Sequence, residues 1–207
     1  LAFDADSQFL PSYVNLANVY ITIGSTEKAV ELYEKAVEMA PKDELLRMNF
    51  AQVLFSKRQY TQAERLLQGL ITESPRKSRY RMKLAELCVA SGRYADAQSQ
   101  LEAILRDQPY NKMLHLISAE IYAKAGDPSQ AAKIYEKLLD PEKESTSVRE
   151  RLALCYIASG RNADARKVLL KFDGVKEKSQ RLEMARAIIM LQDNAYHDAE
   201  QIVASLS

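Results

Sequence analysis

The sequence predicts an all-α fold, a right-handed α-solenoid of about six 34-residue helix–turn–helix repeats. Two alanine columns that recur at this interval are the first observation. One column consists of Ala29, Ala63, Ala97, Ala131, Ala165 and Ala199, and the other of Ala17, Ala51, Ala85, Ala119, Ala153 and Ala187. The same interval separates Gly92, Gly126 and Gly160, and also Pro41, Pro75 and Pro109. A period that persists without a slip is typical of stacked helical repeats.

The columns fix where the repeats begin. In this register the repeats start at residues 10, 44, 78, 112, 146 and 180. We therefore expect the array to occupy residues 10–207 and residues 1–9 to be the tail of a preceding repeat. Because the chain also begins without Met, we expect it to be a fragment of a longer array.

Each repeat is predicted to contain two short helices. A first helix follows from apolar residues at i, i+3, i+4 and i+7. In the first repeat these residues are Tyr13, Leu16, Ala17 and Tyr20. Gly24 ends that helix, and Pro41 prevents a helical continuation after the second one. The second stripe consists of Ala29, Leu32, Tyr33 and Ala36.

The later repeats follow the same order, but repeats four and five lack the final Pro and position 7 departs from the pattern twice. Position 7 of the repeat is apolar in repeats one, two, three and five, but it is Ser118 in the fourth repeat and Arg186 in the sixth. The alanines are expected where helices cross closely, and the large apolar residues are expected to fill the space between hairpins. Packing is therefore predicted to be most regular in repeats one to three.

This pattern resembles the tetratricopeptide repeat family over residues 10–207. The resemblance implies that first helices line a concave groove in which ligands lie. Some members of the family hold the terminal carboxylate of a peptide with Lys, Arg and Asn side chains, and this sequence is similar at four of those positions. They are Asn18, Asn49, Arg79 and Lys83. A fifth position has Val14 instead of Lys, and Glu86 lies where it would neutralise Lys83.

Apolar residues share the predicted groove. Met48 and Met82 occupy position 5 of their repeats, and Phe55 occupies position 12. Methionine adapts to irregular partners, which favours binding of a peptide or protein segment. The alternative is that these side chains only fill the space between adjacent first helices. Replacing Asn49 and Arg79 with Ala is expected to weaken partner binding without unfolding the chain.

Composition excludes several other classes of protein. The chain has 207 residues, of which 47% are apolar and 28% charged, as in folded soluble proteins. A net charge of +1 argues against nucleic-acid binding. A basic cluster between repeats two and three is attributed to solvated loop charge. It consists of Arg76, Lys77, Arg79, Arg81 and Lys83. No apolar run is long enough for direct membrane insertion.

No catalytic or metal-binding motif is apparent. His115 and His197 lack a zinc-binding spacing, and no glycine-rich phosphate loop occurs. Cys88 and Cys155 fall on predicted first helices and are interpreted as small core residues. We therefore predict no enzyme activity, no cofactor and no metal. Two thiols favour a reducing compartment, the cytoplasm, with the periplasm as the alternative.

The sequence thus favours a scaffold or adaptor that binds a protein or peptide segment along its first helices. Two alternatives remain open. In the first, the array serves as a structural spacer or self-association module of a larger assembly or export machine. In the second, it serves as the recruiting arm of an enzyme whose catalytic domain is absent.

Overall fold

The structure, a computed structural model, describes residues 10–139, 146–170 and 179–205. Within these residues it contains helices only. They are α1 (Leu10–Thr22), α2 (Thr26–Met39), α3 (Glu44–Ser56), α4 (Tyr60–Glu73), α5 (Ser78–Ala90), α6 (Tyr94–Asp107), α7 (Lys112–Lys124), α8 (Pro128–Leu138), α9 (Thr146–Ala158), α10 (Asn162–Leu170), α11 (Gln180–Gln192) and α12 (Tyr196–Ser205). The predicted all-α helical repeat fold is confirmed. The tail predicted at residues 1–9 lies outside the described residues.

The chain divides into two compact units, Leu1–Asp107 and Gln108–Ser207. In each unit consecutive helices pack against each other as helical hairpins. In unit 1 the pairs are α1 with α2, α3 with α4 and α5 with α6, and in unit 2 they are α7 with α8, α9 with α10 and α11 with α12. The second helix of a hairpin then packs against the first helix of the next, as α2 does on α3 and α8 does on α9. Each hairpin buries through its neighbour the apolar stripe that it cannot cover alone.

Side-chain caps begin several of the helices. The carboxylate of Asp43 accepts a hydrogen bond from the Leu46 amide at 3.0 Å, at the start of α3. Ser179 Oγ accepts from the Leu182 amide at 3.1 Å, at the start of α11. Such caps satisfy amides that lack a partner in the first turn and stabilise a helix by about 1 kcal/mol.

The turn inside each hairpin requires a left-handed residue. Gly92 has φ of 75°, and the other turn glycines are similar. In the second and sixth repeats the turn position is occupied by Arg58 and Asn194 instead, with φ of 60° and 61°. The absence of glycine in these two repeats therefore changes the residue but not the shape of the turn.

The alanine columns lie in the tightest part of the packing. Every member of both columns is between 0% and 3% exposed. Large side chains occupy the space between hairpins; the rings of Tyr33 and Phe50, for example, stack with centroids 5.7 Å apart and join α2 to α3. The two departures at position 7 are accommodated locally. Ser118 is buried, and Arg186 pairs with Glu183 one turn earlier at 3.3 Å.

Candidate functional site

The first helices α3 and α5 of unit 1 border a small cleft. This α3–α5 cleft is lined by Met48, Ala51, Gln52, Phe55, Leu67, Lys83, Glu86 and Leu87. Three of these residues, Met48, Phe55 and Lys83, were predicted from the sequence to bind a partner. The register of the repeats brings them together because α3 and α5 present the same helix positions to the same side.

The cleft is apolar at its base. Leu67 of α4 and Leu87 of α5 form a buried floor, being 3% and 1% exposed. Met48 and Phe55 are half-buried and line the same cleft. The Phe55 ring also contacts Tyr60 in a tilted arrangement with centroids 5.9 Å apart, which limits the orientations of Phe55. The site therefore offers a preformed apolar surface on rigid helices.

The rim of the cleft is polar and nearly neutral. Lys83 Nζ lies 2.8 Å from Glu86 Oε2, with both side chains partly exposed. Gln52 adds an exposed amide. Sequence reasoning did not assign a binding role to Gln52 or Glu86. Both occupy position 9 of their repeats, the position of Asn18 in the first repeat, and this correspondence could have identified them.

The other four predicted residues lie outside the cleft lining. Met82 and Asn49 are half-buried on α5 and α3. Asn18 is exposed on α1, and its side-chain oxygen accepts a hydrogen bond from the Tyr33 hydroxyl at 2.9 Å. Arg79 is exposed at the start of α5. A role for these four residues in binding stays a prediction.

Arg79 takes part in a cluster centred on the Glu44 carboxylate. Glu44 accepts hydrogen bonds from Tyr80 Oη at 2.6 Å and Ser74 Oγ at 2.8 Å. Lys77 forms an ion pair with the same carboxylate, and Arg79 Nη2 lies 3.4 Å from it. Arg79 also donates to Tyr80 Oη at 2.7 Å. The cluster ties the start of α3 to the end of α4 and the start of α5.

Several cationic side chains of the basic cluster are already engaged in contacts within the protein. Lys77 and Arg79 lie over the Tyr80 ring, with the cationic centres 5.9 and 4.8 Å from its centroid. Arg81 donates to Gln100 Oε1 at 3.1 Å. Since Lys83 pairs with Glu86, an anionic ligand would have to compete with carboxylates that are already in place.

The Glu44 cluster predicts a loss of stability in acid. Hydrogen bonds from Lys77, Tyr80 and Ser74 lower the pKa of Glu44 to about 2, from an ordinary value of 4.5. A carboxyl whose pKa is lowered by folding stabilises the fold fully above its unfolded-state pKa. This contribution is therefore present above about pH 4.5 and is lost as the pH falls toward 2.

Thermal unfolding measured from neutral to acidic pH tests this expectation. The Glu44→Gln variant should melt at a lower temperature than the parent at pH 7 and should lose less of its melting temperature on acidification. Glu31→Gln, which changes an exposed carboxyl on α2, is the control and should follow the parent curve. Identical acid profiles for the parent and Glu44→Gln would contradict the assignment.

The two cysteines of the chain lie in the packed core. Cys88 and Cys155 are buried, and burial raises the pKa of both thiols, that of Cys155 to about 11. A thiol that stays protonated is a poor nucleophile.

Across residues 10–139, 146–170 and 179–205, no group of three His, Cys, Asp or Glu side chains is placed to share a metal ion. Within the same residues, no helix has both the length and the apolar character needed to cross a bilayer.

Comparison with known proteins identifies the repeat. The sequence profile of the tetratricopeptide repeat matches residues 20–87, 54–121, 89–148 and 122–189, which together span more than half of the chain. No curated protein matches the sequence significantly.

Solved structures share the fold at low sequence identity. A tetratricopeptide repeat protein from Parabacteroides merdae ATCC 43184 is 19% identical with a TM-score of 0.65, covering 98% of this chain and 79% of its own. PilW, a type IV pilus biogenesis factor, is 18% identical with a TM-score of 0.66, covering 97% of this chain and 93% of its own. YrrB, a tetratricopeptide repeat protein with an unusual peptide-binding site, is 16% identical with a TM-score of 0.61. The match covers 86% of this chain and 91% of YrrB.

At such identities these structures establish a common fold and nothing more. The profile matches are the stronger observation, because they fall in the register of the helical hairpins seen in the structure. The chain therefore belongs to the tetratricopeptide repeat family.

Proposed function

We propose that this chain is a non-catalytic scaffold that binds a peptide or protein segment, and that the α3–α5 cleft receives an apolar side chain of that segment. Tetratricopeptide repeats commonly serve as protein-interaction modules, which supports the general role. The observation that carries the finer proposal is the cleft itself, where Met48, Phe55 and Lys83 meet over a buried floor.

The chemistry of the cleft favours an apolar anchor. Buried Leu67 and Leu87 lie at its base, and the half-buried Met48 and Phe55 stand beside them. An apolar side chain placed there loses contact with water, and burying a Leu-sized side chain contributes roughly 1.5–3 kcal/mol. The cleft has a volume of only about 10 Å³, roughly the space for one water molecule, so a Leu-sized side chain enters it only when the flexible Met48 side chain moves aside.

The rim would orient the main chain of the segment. Gln52 offers a donor and an acceptor, and the Lys83–Glu86 pair offers one charge of each sign. Because these charges cancel, the rim gives little preference for a charged partner, and we expect affinity to change little with salt. Side chains held on helices lose little conformational entropy on binding, which favours affinity.

Capture of a terminal carboxylate by Asn18, Asn49, Arg79 and Lys83 is the competing mode. It requires Arg79 to leave Glu44 and Tyr80, and Lys83 to leave Glu86. An anion would thus exchange existing charge-assisted bonds for new ones, with a small net gain. We therefore favour the apolar anchor, with Asn49 and Arg79 in an orienting role.

Peptides selected on the chain from a random display library provide the test. The double variant Met48→Ala with Phe55→Ala should weaken binding of a selected peptide at least about tenfold, equivalent to 1.4 kcal/mol. Fluorescence anisotropy with a labelled peptide measures the change. Leu45→Ala, which removes an exposed apolar side chain from the same helix outside the cleft lining, is the matched control and should bind normally.

A second variant, Asn49→Ala with Arg79→Ala, separates the two modes. It should weaken binding less than the Met48 and Phe55 changes do, provided that circular dichroism shows an intact fold. A larger loss than that of the apolar variant would favour carboxylate capture. If peptides bind the apolar variant as tightly as the parent, the α3–α5 cleft is not the site.

A further inference from the structure

The side chain of Asn18 on α1 is held by a buried hydroxyl. Tyr33 Oη donates a hydrogen bond to Asn18 Oδ1 at 2.9 Å, which joins the two helices of the first hairpin. The Tyr33 ring is 2% exposed and stacks on Phe50 with centroids 5.7 Å apart and ring planes within 5° of each other. Because the packed ring cannot shift freely, its hydroxyl fixes the position of the Asn18 amide.

The hydroxyl also determines which end of the amide points outward. Burial raises the pKa of Tyr33 above its ordinary value of 10, so the hydroxyl keeps its proton at neutral pH. Among the described residues, Asn18 Oδ1 is the acceptor for this proton. A reversed amide would place an N–H group there and leave the hydroxyl proton without an acceptor. The Oδ1 atom therefore faces Tyr33, and Nδ2 with its two N–H groups faces outward.

The outward N–H groups are open to a ligand. Asn18 is exposed, and within the part of the chain that the structure describes its Nδ2 atom has no hydrogen-bond partner. Gln52 occupies the same position 9 of the repeat on α3, which packs against a hairpin on either side, and Gln52 is exposed as well. A hairpin placed before α1 would thus leave Asn18 open in the same way.

The surroundings of Asn18 favour a neutral acceptor. The residues about one turn away on the same side of α1 are Val14 and Ile21. Val14 is half-buried and Ile21 is 38% exposed. Neither side chain can pair with a carboxylate. An N–H donor between two aliphatic side chains instead suits the carbonyl oxygen of a peptide bond.

The first hairpin differs in this respect from the other two hairpins of unit 1. Their residues at the position of Tyr33 are Leu67 and Leu101, which have no hydroxyl. The side chains at position 9 of these hairpins are therefore not oriented from below by a hydrogen bond of this kind. A donor that is oriented before binding loses less conformational entropy, so Asn18 is better prepared than Gln52 to bind a segment.

We propose that Asn18 Nδ2 donates a hydrogen bond to a main-chain carbonyl oxygen of the segment bound along the first helices, and that Tyr33 is the positioning residue for this donor. The inference rests on the proposed function, because it concerns the same segment. Every residue of a peptide offers a main-chain carbonyl, so this contact tolerates variation in the sequence of the segment. The α3–α5 cleft, by contrast, selects an apolar side chain.

Asn18→Asp tests the donor. The substitution keeps the shape of the side chain and an oxygen that accepts from Tyr33, but it replaces the outward donor with an acceptor. Fluorescence anisotropy should show that a peptide selected on the parent chain binds at least about fivefold more weakly, because two acceptor oxygens then face each other. Unchanged or tighter binding would overturn the proposal. Gln62→Glu, the same chemical change at an exposed position of α4, is the matched control and should bind like the parent.

A double-mutant cycle tests the positioning role of Tyr33. Tyr33→Phe keeps the stacked ring and removes the hydroxyl, and it should weaken binding of the peptide about two- to fivefold. In an Asn18→Ala background the same change should have no further effect, because no amide remains to be oriented. A purely structural role would weaken binding equally in both backgrounds, and that result would contradict the assignment of Tyr33.

The same peptides distinguish the acceptor and separate this contact from the cleft. Converting the terminal carboxylate of the peptide to an amide should leave its affinity unchanged. A loss that disappears in Asn18→Ala would show that Asn18 binds the terminal carboxylate instead. If Met48→Ala with Phe55→Ala loses binding while Asn18→Asp does not, the donor role fails and the cleft stands. The reverse pattern would remove the cleft and keep the contact at Asn18.

Discussion

Replacing Tyr33 with Ala is expected to lower the free energy of unfolding by about 3–5 kcal/mol. Tyr33 is 2% exposed, and its ring stacks on Phe50 of the next hairpin. The substitution removes a large buried side chain and leaves a cavity between α2 and α3 that rigid helices fill only in part. Because neighbouring repeats stabilise each other through such contacts, the loss affects two hairpins rather than one.

Urea unfolding followed by circular dichroism measures the change, and Tyr33→Phe is the matched control. The control keeps the ring and removes only the hydroxyl that donates to Asn18 at 2.9 Å. Since Asn18 is exposed and can bind water instead, Tyr33→Phe should cost about 1 kcal/mol or less. Equal losses for the two variants would show that the hydroxyl, and not the stacked ring, is the stabilising group.

Replacing Ala97 with Leu is expected to destabilise the fold by about 1–3 kcal/mol. Ala97 is 0% exposed and lies where α6 packs on α5. A Leu side chain does not fit unless the helices separate or neighbouring side chains leave their preferred rotamers. The expected result is a lower urea midpoint with an unchanged slope, because the same surface is exposed on unfolding.

Ala95→Leu provides the comparison on the same helix. Ala95 is exposed two residues earlier, so the same chemical change there is tolerated. Leu and Ala are both good helix formers, and the control should change stability by a few tenths of a kcal/mol, about the size of their propensity difference. An Ala97→Leu variant as stable as Ala95→Leu would contradict the interpretation of the alanine columns as points of close helix contact.

The repeat period predicted most of the fold because each column serves one packing role. Alanine recurs where backbones approach closely, and the structure buries every member of both columns. Ser118 and Arg186 interrupt an apolar column, yet their helices still form. A small Ser is tolerated in the packed space, and Arg186 is neutralised by Glu183. A single position therefore matters less than the pattern around it.

The candidate site was predicted only in part, because a repeat pattern gives the direction of a side chain and not its partner. Met48 and Phe55 follow from their helix positions in the predicted groove, and Lys83 follows from the resemblance to the family. The engagement of Arg79 depends on Glu44, which is 35 residues away, and the geometry of that cluster is set by how two hairpins dock. The assignment of residues 10–207 to one array, the compartment, and the alternative role as the recruiting arm of an enzyme whose catalytic domain is absent stay predictions.

The lining of the α3–α5 cleft has a consequence for the dynamics of unit 1. Met48 belongs to the hairpin of α3 and α4, and Lys83 belongs to the hairpin of α5 and α6. A segment bound there would contact both hairpins at once, so it would have to be released before either one could open by itself. Occupancy would thus slow the exchange of backbone amides in these four helices with solvent deuterium, converting a local contact into cooperativity along the array.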